Sequence, residues 1–162
     1  MQANDIPAIM KIQAQAYHEL TQESEDVIFA RLQEVPDLAW VAEDDLGVCG
    51  YLFSYRSNLG EITPLDGKFC PAKTPDCLYL HDLAVSTRAG GRGIGPALVE
   101  HKLSLAKQDQ LPYSALVSVQ GSAPFWSRFG YTIRHDLTAQ QRQILATYTG
   151  AAVYMTRDLT TA

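Results

Sequence analysis

The sequence is short of what would mark a secreted, membrane-spanning or nucleic-acid-binding chain. Its three cysteines, Cys49, Cys70 and Cys77, are odd in number and form no C-x-x-C pair, which suits a reducing compartment and argues against structural zinc. No apolar run approaches the roughly 20 residues of a membrane span. The N-terminus lacks the basic-then-apolar pattern of a signal peptide, so the expected location is cytoplasmic. Basic residues are outnumbered: 13 Lys and Arg against 18 Asp and Glu give a net charge of −5. That argues against nucleic acid as a general partner and mildly favours a cationic substrate. No Gly-Lys-Ser/Thr triplet occurs, so the nucleoside-triphosphate loop is absent. There is no internal repeat, low-complexity tract or linker, and 162 residues with 46% hydrophobic content suffice for one ordinary core. Residues 1–162 therefore read as a single domain.

What is present is concentrated between Leu78 and Leu105. Residues 78–85 are a mostly apolar run of strand length, suited to a strand covered on both faces. Gly90, Gly91, Gly93 and Gly95 fall within six residues. A helical stripe of Ile94, Leu98, His101 and Leu105 follows, with Pro96 near its first position. A strand, a glycine-rich turn and a helix start, in that order, make an anion cradle. The helix start offers free N–H groups and a partial positive charge, and glycine lets the backbone approach a bulky oxyanion with φ > 0 where needed. Arg88 and Arg92 add full charges nearby. A tight turn with no ligand needs fewer glycines. The dinucleotide fingerprint fails: the spacing is Gly91-x-Gly93-x-Gly95, Pro96 follows, and the region about 20 residues on carries no acid.

Around this centre, the spacing of Ile9, Ile12, Ala16 and Leu20 predicts a helix capped by Asp5 and running to about Leu20. Ser24 caps a second predicted helix with the stripe Ile28, Leu32 and Val35, ended by Pro36. Residues 38–43 and 48–56 read as antiparallel strands, with Cys49, Tyr51, Phe53 and Tyr55 on one face as core. Residues 57–76, holding Pro64, Pro71 and Pro75, form a long irregular connection. The central helix runs to about Gln108, then come a strand at 113–119, a short helix at 121–129 ended by Gly130, and a strand from Tyr131. Residues 139–147 are helical or irregular, and 152–157 close the sheet.

The string Leu83-Ala84-Val85, a short loop, Gly91-Arg92-Gly93-Ile94-Gly95 and Ala97-Leu98 closely resembles the acetyl-CoA-binding motif of the GCN5-related N-acetyltransferases, the GNAT superfamily. A second family motif is matched by Ser122-Ala123-Pro124-Phe125-Trp126-Ser127-Arg128-Phe129-Gly130-Tyr131, in family order and spacing. The resemblance implies an α/β fold of three layers, α-β-α, around a central mixed, mostly antiparallel, splayed sheet. The family usually begins with a strand before the first helix. Here only Met1 to Asn4 precede Asp5, so that strand is missing, very short or cut off.

The implied reaction is transfer of acetyl from acetyl-CoA to a primary amine of a small molecule in a ternary complex, with no metal and no protein nucleophile. The implied protein is a monomer or homodimer with no nucleic-acid or membrane partner. By the same resemblance, the backbone of Leu83, Ala84 and Val85 meets the acetyl and pantetheine arm. The amides from Gly90 through Gly91, Arg92, Gly93 and Ile94 to Gly95 meet the pyrophosphate. Gly90 departs from the Arg or Gln usual in the family; Arg88 or Arg92 could replace the contact. Trp126 stands where many members have the tyrosine that protonates the leaving thiolate. It is expected to pack against the CoA arm or the core, leaving Tyr131, Tyr154 or no acid at all. The acceptor enters near residues 57–76, which are expected to shape its pocket.

Asp82 and His81 lie where many members place a base that works through water, and they are the candidate catalytic residues. Strict alternation puts His81 on the face of Leu83 and Val85 and Asp82 opposite, unless a bulge inverts the parity. Neutralising a lysine-like amine at pH 7 costs about 4.6 kcal/mol, and an α-amine near pKa 8 about 1.4 kcal/mol, so a base matters more for alkylamines. Two other readings stand beside this one: a CoA-binding sensor or catalytically weak relative, and a plain nucleotide-binding module.

Overall fold

Two helices precede the sheet. In the computed structural model, which describes residues 1–161, α1 (Ile6–Ala16) buries Ile9 and Ile12 of the predicted stripe and adds Ile6 at its start. It stops at Ala16 and not near Leu20. Tyr17 leaves the helix with φ −114° and ψ 146°, and Leu20 is exposed in a following 3-10 turn. Asp5 does not cap α1 through its side chain. Its carboxylate accepts from the Gln2 N–H at 2.6 Å, closing the 3-10 turn Ala3–Asp5 in front of the helix. Helix α2 (Glu25–Glu34) starts as its sequence indicates, with Ser24 Oγ accepting from the Val27 N–H, and buries Ile28 and Leu32.

The sheet has six strands in the order β1-β2-β3-β4-β6-β5. They are β1 (Ala39–Asp44), β2 (Gly47–Ser57), β3 (Cys77–Val85), β4 (Tyr113–Ser118), β5 (Thr132–Ile133) and β6 (Val153–Asp158). Only β3 and β4 are parallel, and the crossover between them is α3 (Ile94–Gln108). The α1 and α2 layer covers one face, against Tyr51, Phe53, Tyr55 and Tyr79. Helix α3 covers the other, against Leu52, Leu78, Leu80 and Leu116. The architecture is the three-layer α-β-α with a mixed sheet that the motifs imply. Among the described residues no strand precedes α1, so β1 is the sheet edge. Helix α4 (Ala123–Ser127) is short. Residues 139–147 resolve as α5 (Ala139–Leu145), begun by a capping box in which Thr138 and Gln141 satisfy each other's backbone N–H.

Two details of pairing build the site. β3 and β4 are paired only from Cys77↔Tyr113 to Leu80↔Leu116; past that point they part. On its other side β3 bulges: Phe53 pairs with Asp82, but Ser54 pairs with Leu80, which leaves His81 as the extra residue. The bulge reverses the alternation. Tyr79 and His81 face the α1 and α2 layer, where His81 packs 5.1 Å from the Phe69 ring. Asp82 and Ala84 face that same layer. His81 and Asp82 therefore share a face that regular pleating would have denied one of them.

Candidate active site

The parted ends of β3 and β4, the start of α3, α4 and the residue after α1 enclose a cleft of about 670 Å³. Leu83, Ala84 and Val85 form one wall and Val117 the other, with Phe125 and Trp126 from α4. No ladder bond ties β3 to β4 beyond Leu80, so β3 has no strand partner on that edge, and the polar groups there that no side chain engages need another partner.

At the α3 end, Gly91 and Gly93 both have φ of +75°. A Cβ at either would meet nothing within 4 Å, so these positions need glycine for the left-handed backbone and not for space. The first intrahelical bond runs from the Ala97 N–H to the Gly93 carbonyl at 3.0 Å. The N–H groups of Gly93, Ile94 and Gly95 thus lie outside the helical ladder. This arrangement fits a pyrophosphate. Gly90 has φ −58° and needs no glycine.

The arginines go elsewhere. Arg88 Nη1 and Arg92 Nη1 both contact Asp44 Oδ2, at 2.8 and 2.6 Å, and neither lines the cleft. The two guanidiniums hold the Asp44 carboxyl well below the usual carboxylate range. They tie the β1–β2 turn to the glycine loop. Arg128, which sequence reasoning passed over, is the one Lys or Arg among the described residues that lines the cleft. Its guanidinium lies 5.2 Å from the Phe125 ring centre.

Midway along the cleft sits Asp82, 6% exposed. Tyr17 donates to its Oδ1 at 2.7 Å and also to the Leu83 carbonyl at 2.9 Å, and Tyr51 donates to Oδ2 at 2.8 Å. Burial and then the nearby Glu23 charge push the Asp82 carboxyl up to about 6, against the lowering effect of the two phenols. The His81 side chain is buried beside it. Its Nε2 is 3.5 Å from Glu23 Oε2, and its Nδ1 has no partner. Burial and the Arg31 charge lower its pKa, with Glu23 opposing, so the imidazole is neutral at neutral pH.

Glu23 and Arg31 form a buried bidentate ion pair, with Arg31 Nη2 2.6 Å from Glu23 Oε1. Burial raises the Glu23 pKa, but His81 and Arg31 outweigh it and bring it down to about 2. Glu23 also accepts from the Asp66 N–H, and Arg31 donates to the Gly67 carbonyl. The 57–76 connection is thereby held over the site, with Leu65 on the cleft wall. Tyr148 lines the same end and donates to the Thr63 carbonyl at 2.6 Å.

Trp126 lies on the cleft, 8% exposed, with its ring 5.8 Å from that of Tyr131. Tyr131 and Tyr154 do not line the cleft. The Tyr131 hydroxyl pairs with Ser114 Oγ at 2.6 Å, and the Tyr154 hydroxyl accepts from the Gly60 N–H at 2.9 Å. None of the three cysteines lines the cleft either, and burial pushes the Cys77 thiol up to about 12. Among the described residues no three His, Cys, Asp or Glu side chains converge as a metal site would require. Spacing gave no role to Tyr17, Glu23, Arg31 or Arg128: Tyr17 meets Asp82 65 residues on, Glu23 in the turn between α1 and α2 meets Arg31 on α2, and Arg128 was visible only as part of the second motif. Tyr51 was legible only as core.

Comparison with known proteins places this geometry. Residues 6–131 match the family model described as the acetyltransferase (GNAT) family. The loading GNATL domain of CurA from Lyngbya majuscula has a TM-score of 0.76 at 13% identity, over 100% of this chain and 96% of that one. The ribosomal-protein-S18-alanine N-acetyltransferase from Escherichia coli has a TM-score of 0.67 at 15% identity, over 100% and 92%. Rv2747 from Mycobacterium tuberculosis, in complex with CoA and NLQ, has 0.65 at 20%, over 97% and 95%. At such identities the likeness is one of fold. No curated protein sequence matches.

Proposed function

The chain belongs to the GNAT acetyltransferase family, and we propose that within it this protein moves acetyl from acetyl-CoA to a primary amine of a small molecule, by direct attack in a ternary complex. One observation carries the reading. A single cleft is lined by a strand edge at Leu83 to Val85 that β4 has left, a left-handed glycine turn at a helix start beyond it, and the buried Asp82 carboxylate before it.

In this reading the amides of Gly91 to Gly95 hold the pyrophosphate. The pantetheine arm extends β3 where β4 has left it, with Trp126 along its side. The thioester then lies at Leu83, next to Asp82. The amine arrives from the end lined by Leu65, Tyr148 and His81. Asp82, with its pKa raised to about 6, is the proton acceptor, and neutral His81 is a hydrogen-bonding neighbour of the amine. A base of that strength serves an α-amine near pKa 8 more readily than a lysine-like amine.

Calorimetry with CoA and acetyl-CoA, followed by thiol release over a panel of amines, tests this. Saturable heat and amine-dependent release are expected; a folded protein giving no heat with either ligand sinks the reading. A CoA-binding sensor is the second reading, favoured because Trp126, Tyr131 and Tyr154 do not supply the thiolate's proton. Binding of CoA with no thiol release from any amine selects it.

A further inference from the structure

Both ends of the proton path need a group. Asp82 is buried, and each of its oxygens already accepts from a phenol. The tyrosine expected in α4 is replaced by Trp126, and Tyr131 and Tyr154 are turned into the core. We propose that Tyr17 is the catalytic proton carrier: its phenol links the cleft to Asp82, passes the acceptor amine's proton to that carboxylate, and returns it to the departing thiolate. This rests on the acetyl-transfer reading above.

The two phenols on Asp82 are not equivalent. Tyr51 is 0% exposed and does not line the cleft; Tyr17 is half-buried and does. The Tyr17 hydroxyl is 2.7 Å from Asp82 Oδ1 and 2.9 Å from the carbonyl of Leu83, which also lines the cleft. Its oxygen keeps acceptor capacity while its O–H is donated. Tyr148, the other phenol on the cleft, commits its O–H to the Thr63 carbonyl. Tyr17 reaches this position only because α1 ends at Ala16 and the next residue is extended. Burial and the Asp82 charge make it a poor acid alone, so the proton moves through it and never leaves a free phenolate.

The steps balance. An ammonium acceptor first loses one proton to solvent. The neutral amine attacks the thioester carbon and a C–N bond forms. One N–H proton passes to the Tyr17 oxygen as the Tyr17 hydrogen passes to Asp82 Oδ1. The C–S bond then breaks, with its electron pair going to sulfur. The thiolate takes a proton from Tyr17, and Asp82 returns its own to Tyr17. The products are the acetamide and CoA thiol, and both side chains end as they began.

The groups facing Asp82 are Tyr17 after α1, Glu23 before α2, Arg31 on α2, Tyr51 on β2, His81 beside it on β3, and Tyr148. The matched pair Tyr17→Phe and Tyr51→Phe removes one phenol bond each from Asp82. Both variants shift the acidic limb of kcat to higher pH, because each phenol lowers the Asp82 pKa. Only Tyr17→Phe breaks the path. Its plateau kcat falls by about 100-fold or more, at least tenfold further than in Tyr51→Phe, with CoA affinity by calorimetry unchanged. Equal losses in the two variants, with wild type active, overturn the inference alone. A wild-type protein that binds CoA but acetylates no amine overturns it together with the acetyl-transfer reading.

Discussion

Asp82 and Glu23 lie in the same buried layer yet titrate in opposite directions, and the difference is in their partners. Asp82 is hydrogen-bonded by phenols, which burial and the Glu23 charge override; Glu23 has His81 and Arg31, which together override burial. Asp82→Asn is expected to lower kcat by about 10²-fold or more and to abolish the acidic limb near pH 6, read from a pH–rate profile. Glu23 has a folded pKa below its free value, so its stabilising contribution is complete above pH 4.5 and is lost as pH falls toward about 2. Glu23→Gln leaves Arg31 without its counter-charge. Urea unfolding should show a loss of about 3 kcal/mol at pH 7, shrinking as pH drops through that window. Lys102 is a base, so burial favours its neutral form. It is 0% exposed, donates to the Leu38 carbonyl at 2.7 Å and sits 3.5 Å from the Trp40 ring centre. Burial lowers its pKa to about 7, so the native state binds fewer protons than the unfolded chain above that pH. Stability should rise from pH 7 toward 10, and Lys102→Met should remove the rise.

At the scale of elements, the turn into α3 and the bulge in β3 do the positioning. Gly93→Ala meets no neighbour but keeps φ at +75°, so it should cost about 1 kcal/mol of stability and weaken CoA binding, read by urea unfolding and calorimetry. Gly90 is a different case. Its φ is −58°, and a Cβ there would come no closer than 3.4 Å to the Thr87 carbonyl. Gly90→Arg, which places a cation where the family usually carries Arg or Gln, should leave the melting temperature within a degree or so and tighten CoA about threefold, given roughly 0.3–1 kcal/mol for a charge at such a site. The elements themselves were mostly readable from spacing. The second helix, the central helix and the places of the strands along the chain follow it, while the order of strands within the sheet came only with the fold. The end of α1 did not, because Leu20 continues the apolar period while the tertiary contact of Tyr17 with Asp82 lies on another path.

Across the whole molecule, the end of the cleft proposed for the acceptor is assembled from three separated stretches. The 57–76 connection is fastened to Glu23 and Arg31 on one side. On the other, the segment around α5 holds it, with Gln141 donating to the Gly60 carbonyl and Tyr148 to the Thr63 carbonyl. Leu65→Ala, on the cleft wall, should raise the acceptor KM severalfold while the Kd for CoA stays fixed, because Leu65 lines the end proposed for the amine and not the glycine turn proposed for the phosphates. No helix among the described residues is long and apolar enough to cross a membrane.

The sequence alone determined the glycine turn proposed to take the donor's pyrophosphate. A glycine turn before a helix start is a local requirement of backbone angles and unpaired N–H groups, so it shows in consecutive residues. Only the tertiary structure decided which side chains gather around Asp82. Whether His81 and Asp82 share a face depends on how β2 registers against β3. Which tyrosine meets Asp82 depends on where α1 stops. Arg88 and Arg92 go to Asp44 because folding brings the β1–β2 turn against the glycine loop. Each of these is a pairing between groups far apart in the chain, and spacing along one segment carries no information about it.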